Sequence, residues 1–168
     1  MGAIRYRSMP SPVGPLVLAG EGDTLTHLRL DAQAHPPAGI EEWRHDPSAF
    51  DQVVDQLEAY FAGDRTDFDI DMRLRGADFH TEVWRGLLEI PYGETRSYGW
   101  LATRVNRPGA ARAVGSANGR NPIAIVVPCH RVIGADGTLV GYGGGLNRKR
   151  ALLDLERQHF APRLALDG

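Results

Sequence analysis

The 168-residue chain has a single cysteine, Cys129. That scarcity excludes an internal disulfide and any zinc or iron–sulfur site built from several thiolates. Its six histidines (His27, His35, His45, His80, His130 and His159) show no H-x-x-x-H or similar ligand spacing, so a metal has no support. No apolar run approaches the length of a membrane span, and the N-terminal Met1-Gly2-Ala3-Ile4-Arg5-Tyr6-Arg7 lacks the apolar core of a signal peptide. A cytoplasmic protein with no membrane partner is the expectation. Hydrophobic residues at 42% and charged residues at 24% suit a soluble globular protein of one ordinary domain or two small ones.

The chain has little net charge, −2, but the charge is unevenly placed. Residues 1–83 carry 7 cations and 15 carboxylates, residues 84–150 carry 10 and 3, and residues 151–168 carry 2 and 3. The middle segment is therefore +7 and the first half −8. A local basic field of that kind attracts phosphate, although arginines spread on all sides of a solvated surface would give the same count.

The pattern changes near residue 76 as well. Ile4–Ser8, Pro15–Ala19 and Thr24–Leu30 predict an antiparallel meander with a turn at Gly20-Glu21-Gly22-Asp23. Residues 31–46 are rich in breakers and predict a loop. Asp46 is placed to cap a helix whose Phe50, Val53, Val54, Leu57 and Phe61 cover the sheet before Gly63 ends it. Phe68, Ile70, Met72 and Leu74 alternate with charged residues, as in a half-buried strand. Beyond the boundary at Arg75-Gly76-Ala77 the chain reads as helices. The fold class expected is α+β, with residues 1–75 as an N-terminal antiparallel sheet plus covering helix and residues 76–168 as a mostly helical domain.

In that second part, Asp78 is placed to cap a helix over Phe79–Leu88, and Ser97 one that carries Tyr98, Leu101, Ala102 and Val105. A turn at Asn106-Arg107-Pro108-Gly109 leads to a helix from Ala110 to about Asn118, which completes a helix-turn-helix pattern. Its Ala110, Ala111, Ala113, Gly115, Ser116 and Ala117 are small, and Arg112 is the one long side chain. Small residues let the backbone come close, which suits a minor groove, with Arg112 free to enter the base stack. The apolar run Ile123-Ala124-Ile125-Val126-Val127 predicts a short buried strand that Pro128 stops, so Cys129 emerges at a surface or cleft. A lone cysteine after such a run is either a small core hydrophobe or a nucleophile. Residues 133–139 predict a turn and Gly141-Tyr142-Gly143-Gly144-Gly145 a loop able to approach a ligand closely. The loop leads into a helix capped by Asn147, with Arg148, Lys149 and Arg150 in its first turn suggesting a phosphate partner. This helix continues to Glu156, and the tail from Pro162 is expected to fray.

Pro128-Cys129-His130-Arg131-Val132, preceded by Arg112-Ala113-Val114-Gly115 and Asn121-Pro122 and followed by Gly141-Tyr142 and Gly144-Gly145, resembles the O6-alkylguanine-DNA alkyltransferases of the bacterial constitutive type. The resemblance is dense from Phe79 to Glu156; before that, mainly Ser11–Leu16 echoes the family's first hairpin. It implies a ribonuclease H-like first domain and a winged-helix-like second one. It implies, too, a protein that flips O6-alkylguanine, or O4-alkylthymine, out of duplex DNA through the minor groove. The alkyl group passes to Cys129 in a single turnover. By the same resemblance Glu156 orients His130, which acts through a water on Cys129, while Asn121 braces the turn before it. Tyr98 donates to the ring N3, the Gly143 N–H serves O6, and the Cys129 and Val132 carbonyls accept from the exocyclic amine. Arg112 is the finger that fills the gap, with Ala111, Ala113, Gly115, Ser97 and Arg120 along the DNA. Val132, Tyr142, Gly143 and Trp100 would line the base pocket. Trp100 departs from the polar residue usual there, and either stacks near DNA or packs on a neighbouring loop. No cofactor and no metal are implied. The partner is double-stranded DNA containing alkylated guanine, bound by a monomer, with cooperative binding left open. The competing readings are a non-catalytic alkylated-base sensor, which would lack the cysteine, a Cys-His hydrolase, which would turn over, and a plain helix-turn-helix regulator, which would carry polar base readers in place of the small-residue helix.

Overall fold

The structure, a computed structural model, describes residues 3–30, 36–139, 142 and 145–167, with side chains described up to Phe160. Strands β1 (Arg5–Met9), β2 (Leu16–Glu21) and β3 (Thr24–Leu30) form the expected meander. Register sets the faces. Met9, Leu16 and Leu30 make one inward row and Leu18 and Leu28 the next, whereas Tyr6, Ala19 and His27 lie on the opposite face, where Trp43 packs on Tyr6 and His27. A bulge at Ala19/Gly20 adds Thr26 to β3, which lets Leu25 point inward with Leu28.

The segment read as a loop over residues 31–46 contains more than a loop. Residues 31–35 lie outside the described residues, but Ile40–Glu42 form a 3-10 turn and β4 (Arg44–His45) pairs parallel with β1. The sheet order is thus β3-β2-β1-β4.

Helix α1 (Asp51–Phe61) covers the sheet as expected, but Asp46 does not cap it. The Asp46 carboxylate instead closes its own turn by accepting from Ser48 N and Oγ, and it pairs with Arg5 at 2.6 Å. The helix begins only after Phe50, whose left-handed φ of 59° turns the chain and seats its ring beside Gly20. The alternation from Phe68 to Leu74 holds side chain by side chain, yet no strand forms there. The Gln56 side chain satisfies Asp69 N and O, which leaves only a bridge between Met72 and Leu25.

Helices α2 (Asp78–Leu87), α3 (Tyr98–Arg104) and α4 (Ala111–Gly119) pack together, with Trp84 Nε1 donating to Ala117 O at 2.8 Å. Asp78 is the first helical residue rather than the cap, which is Ala77. Strand β5 (Arg96–Ser97) pairs parallel with β6 (Val132–Ile133). Helix α5 (Leu146–Asp167) begins one residue before the expected Asn147 cap and remains helical beyond Pro162, where fraying was expected. The buried residues of both halves make one contiguous cluster. Among the described residues, no helix is long and apolar enough to cross a membrane.

Candidate active site

The apolar run before the cysteine is not a strand. Only Ile123 pairs, through the Leu28 N to Pro122 O and Ala124 N to Leu28 O bonds at 2.9 and 3.0 Å. The chain then curls. Ile125 adopts φ 71°, a region β-branched residues avoid, Val126 N donates to Ala124 O at 2.8 Å, and Val127 N donates to Ile123 O at 3.0 Å. Asn121 closes the curl from inside, donating from Nδ2 to Val127 O at 2.7 Å and accepting from Ile123 N at 3.1 Å. A side chain that takes both backbone groups competes with any sheet ladder.

Cys129 follows in a 3-10 turn, Cys129–Arg131, not in an extended segment, and is 5% exposed. The Cys129 carbonyl accepts from Asn118 Nδ2 at 3.3 Å, a contact from α4 that the sequence did not suggest. Burial pushes the thiol up, while the Asn121 side chain and the Lys149 charge pull it down.

His130 and Glu156 are fully buried and meet at 2.6 Å, His130 Nε2 to Glu156 Oε2. The other ring nitrogen, Nδ1, is buried and has no hydrogen-bond partner among the described residues. Burial holds the imidazole below its ordinary range, with Glu156 opposing it, which favours the neutral ring. Glu156 collects three further donors that sequence reading missed. Arg131 reaches Oε1 from Nε at 2.8 Å and Oε2 from Nη2 at 2.9 Å. Tyr60 donates to Oε2 at 2.6 Å and Gly93 N to Oε1 at 3.4 Å. His130 and Arg131 outweigh the burial of Glu156 and hold its carboxyl far below the usual range.

Lys149, expected among the phosphate-seeking cations, is fully buried. Its Nζ donates to Val132 O at 2.6 Å and lies 5.9 Å from the Tyr98 ring centroid. Burial lowers its pKa from 10.5 to about 8, with the Cys129 sulfur opposing. Tyr98 and Tyr142 both have their hydroxyls pushed up by burial and by the neighbouring Cys129, so both remain protonated. Tyr142 Oη is buried and faces the Cys129 thiol. Gly143 and the glycines on either side of Tyr142 lie outside the described residues, so the expected amide donor does too.

Ser97 caps α3 as expected, its Oγ accepting from Trp100 N at 3.0 Å. The parallel β5–β6 pair then sets Tyr98 beside the cysteine turn, and its ring lies against Gly115 of α4. On α4, Arg112, Ala113 and Ser116 are exposed, Ala111 and Gly115 half-buried, and Arg120 exposed at the C-terminal end. Trp100 is half-buried, packed on the core beneath the Arg96 guanidinium at 5.6 Å. Cys129, His130, Glu156, Asn121, Tyr98, Val132 and Tyr142 thus converge, and the small-residue helix borders them.

Residues 4–74 match the 6-O-methylguanine DNA methyltransferase ribonuclease-like domain, and residues 78–158 match the DNA binding domain of the same family. A relative named methylated-DNA--protein-cysteine methyltransferase in Mycobacterium bovis is 60% identical over 163 residues, covering 97% of this chain and 98% of its own. The chain belongs to the 6-O-methylguanine DNA methyltransferase family. A same-named relative in Methanosarcina acetivorans is 47% identical over 151 residues, covering 90% of this chain and 97% of its own. Among solved structures, Mycobacterium tuberculosis OGT in complex with DNA superposes with a TM-score of 0.87 at 61% identity, over 92% of this chain and 94% of that one. The antiparallel sheet with its covering helix, followed by the helix-turn-helix, is accordingly the architecture of this methyltransferase family.

Proposed function

We propose that this chain reverses DNA alkylation directly, moving the alkyl group of O6-alkylguanine or O4-alkylthymine to Cys129 in a single turnover. The observation that carries the reading is the buried Cys129 beside a neutral His130 that Glu156 holds at 2.6 Å. His130 Nδ1 accepts the thiol proton through a water. The thiolate sulfur then bonds to the alkyl carbon as the carbon–O6 bond breaks, and the bonding pair goes to the base. Tyr98, kept protonated by burial, donates to the ring N3. The thioether formed is stable, so the protein is consumed.

The partner is double-stranded DNA containing an alkylated base, approached from the minor groove by α4. Arg112 enters the stack, with Ala111, Ala113, Gly115, Ser97 and Arg120 along the backbone. Val132, Tyr142, Gly143 and Trp100 border the flipped base, and Asn121 keeps the cysteine turn closed. Residues 1–75 act as the supporting domain and residues 76–168 as the DNA-binding, alkyl-accepting one, in a cytoplasmic monomer.

The test is a duplex carrying one O6-methylguanine, incubated with the protein and followed by mass analysis of tryptic peptide 121–131. One methyl group on Cys129 per lesion repaired is expected. An unmodified peptide, or more lesions repaired than protein molecules present, would overturn the reading.

A further inference from the structure

Glu156 Oε2 accepts from His130 Nε2 and from Tyr60 Oη, both at 2.6 Å. Tyr60 lies 96 positions from Glu156, on the helix that covers the N-terminal sheet. Its side chain is 0% exposed, and its ring packs against Phe61, Phe68 and, edge-on at 6.1 Å, Tyr92. Two glycines bring α5 close enough for the contact. The His159 ring sits against Gly63, just past the end of α1, and the Phe160 ring against Gly93; both glycines have positive φ, and a Cβ at either would collide with the ring. The supporting half therefore reaches the carboxylate that orients the histidine.

We propose that Tyr60 is a positioning residue for alkyl transfer: its hydroxyl fixes Glu156 Oε2 at the point where that oxygen receives His130 Nε2. This rests on the direct-reversal reading and deepens it by giving the N-terminal half a part in the chemistry. The same oxygen accepts from Arg131 Nη2 at 2.9 Å, and a carboxylate oxygen shared among three donors is less basic than one shared between two. Tyr60 thus restrains how far Glu156 makes the imidazole basic, and leaves it neutral and ready to take the thiol proton. The charged and titratable groups acting on Glu156 are His130 and Arg131 of the cysteine turn, Tyr60 of α1 and Tyr142 before α5; Tyr92 of the loop after α2 lies against Tyr60 and Arg131, and Lys149 of α5 acts on His130. Arg131 holds the carboxylate bidentately whether or not the tyrosine hydroxyl is present. Loss of that hydroxyl alone therefore leaves Glu156 ionised and shifts the balance toward a protonated His130.

The experiment is Tyr60→Phe in the full chain, which keeps the packed ring. Alkyl transfer is followed by quenched single-turnover kinetics on free O6-benzylguanine and on duplex O6-methylguanine across pH. We expect the same loss on both substrates, about three- to tenfold at neutral pH, with the acid limb of the profile moved to higher pH. The imidazole titration of His130, read by NMR in unreacted protein, moves the same way. The proposal is overturned by an acid limb unchanged from wild type, including a uniform loss at every pH, or by an unshifted His130 titration. The NMR arm needs no alkyl transfer. A wild-type protein that never alkylates Cys129 would sink the direct-reversal reading separately.

Discussion

Arg131 grips both oxygens of Glu156, at 2.8 and 2.9 Å, in a place where the two side chains are 6% and 1% exposed. Its remaining nitrogen, Nη1, donates to Ile90 O at 2.8 Å, so the guanidinium also ties the cysteine turn to the loop after α2. Removing one partner of a buried pair leaves the other charge uncompensated. Arg131→Ala should therefore cost about 3–5 kcal/mol in urea unfolding. A loss below about 1 kcal/mol would show that the pair behaves like a surface ion pair.

Lys149 places a buried ammonium near a buried thiol. Replacing it by methionine keeps volume and removes the charge that lowers the Cys129 pKa. Lys149→Met should slow alkyl transfer about tenfold at neutral pH, with a smaller deficit as pH rises and the thiol ionises without help. Single-turnover rates at several pH values decide it; a deficit independent of pH would show that the ammonium acts only through the Val132 carbonyl.

Arg112 is exposed near the start of α4. The finger role proposed for it concerns flipping, which costs a few kcal/mol in duplex DNA and nothing for a free base. Arg112→Ala should reduce repair of duplex O6-methylguanine by tenfold or more and leave reaction with free O6-benzylguanine nearly unchanged. Equal losses on both substrates would remove the finger from the mechanism.

His27, on the outer face of β3, has its pKa lowered from 6.5 to about 4, first by burial and then by the Arg29 and Arg75 charges. The unfolded chain therefore binds this proton before the folded one does, and folding stability falls as pH drops from 6.5 towards about 4. His27→Gln should flatten the stability profile in that window, as read by urea midpoints. An unchanged slope would mean that other groups, such as the buried His130, set it.

Much of this was legible from local pattern. The meander, the covering helix and the helix-turn-helix follow from periodicity and turn residues a few positions apart, and Ser97 caps α3 as its type and place suggest. Reading failed where a side chain took over backbone groups. Asn121 curls the apolar run that looked like a strand, Gln56 occupies the backbone that would have made a strand of residues 68–74, and Asp46 closes its own turn in place of a helix cap. The expected cap at Asn147 lies two residues too late, because α5 starts directly after Gly145, whose φ is 96°.

What local sequence fixes is the proposed acceptor and its neighbours. Cys129 and His130 are adjacent, the proline and asparagine before them restrict the chain, and the small residues of α4 announce a close approach; all are short-range facts. Only the tertiary structure decided what surrounds them. Tyr60 and Arg131 meet on Glu156 across 96 and 25 positions, Lys149 turns inward from a helix start that reads as a basic surface, and β3 steadies the cysteine segment through Leu28. Such contacts depend on how α1, α5 and the sheet pack against one another. No local spacing encodes them, because the energy that fixes them is burial shared by one core.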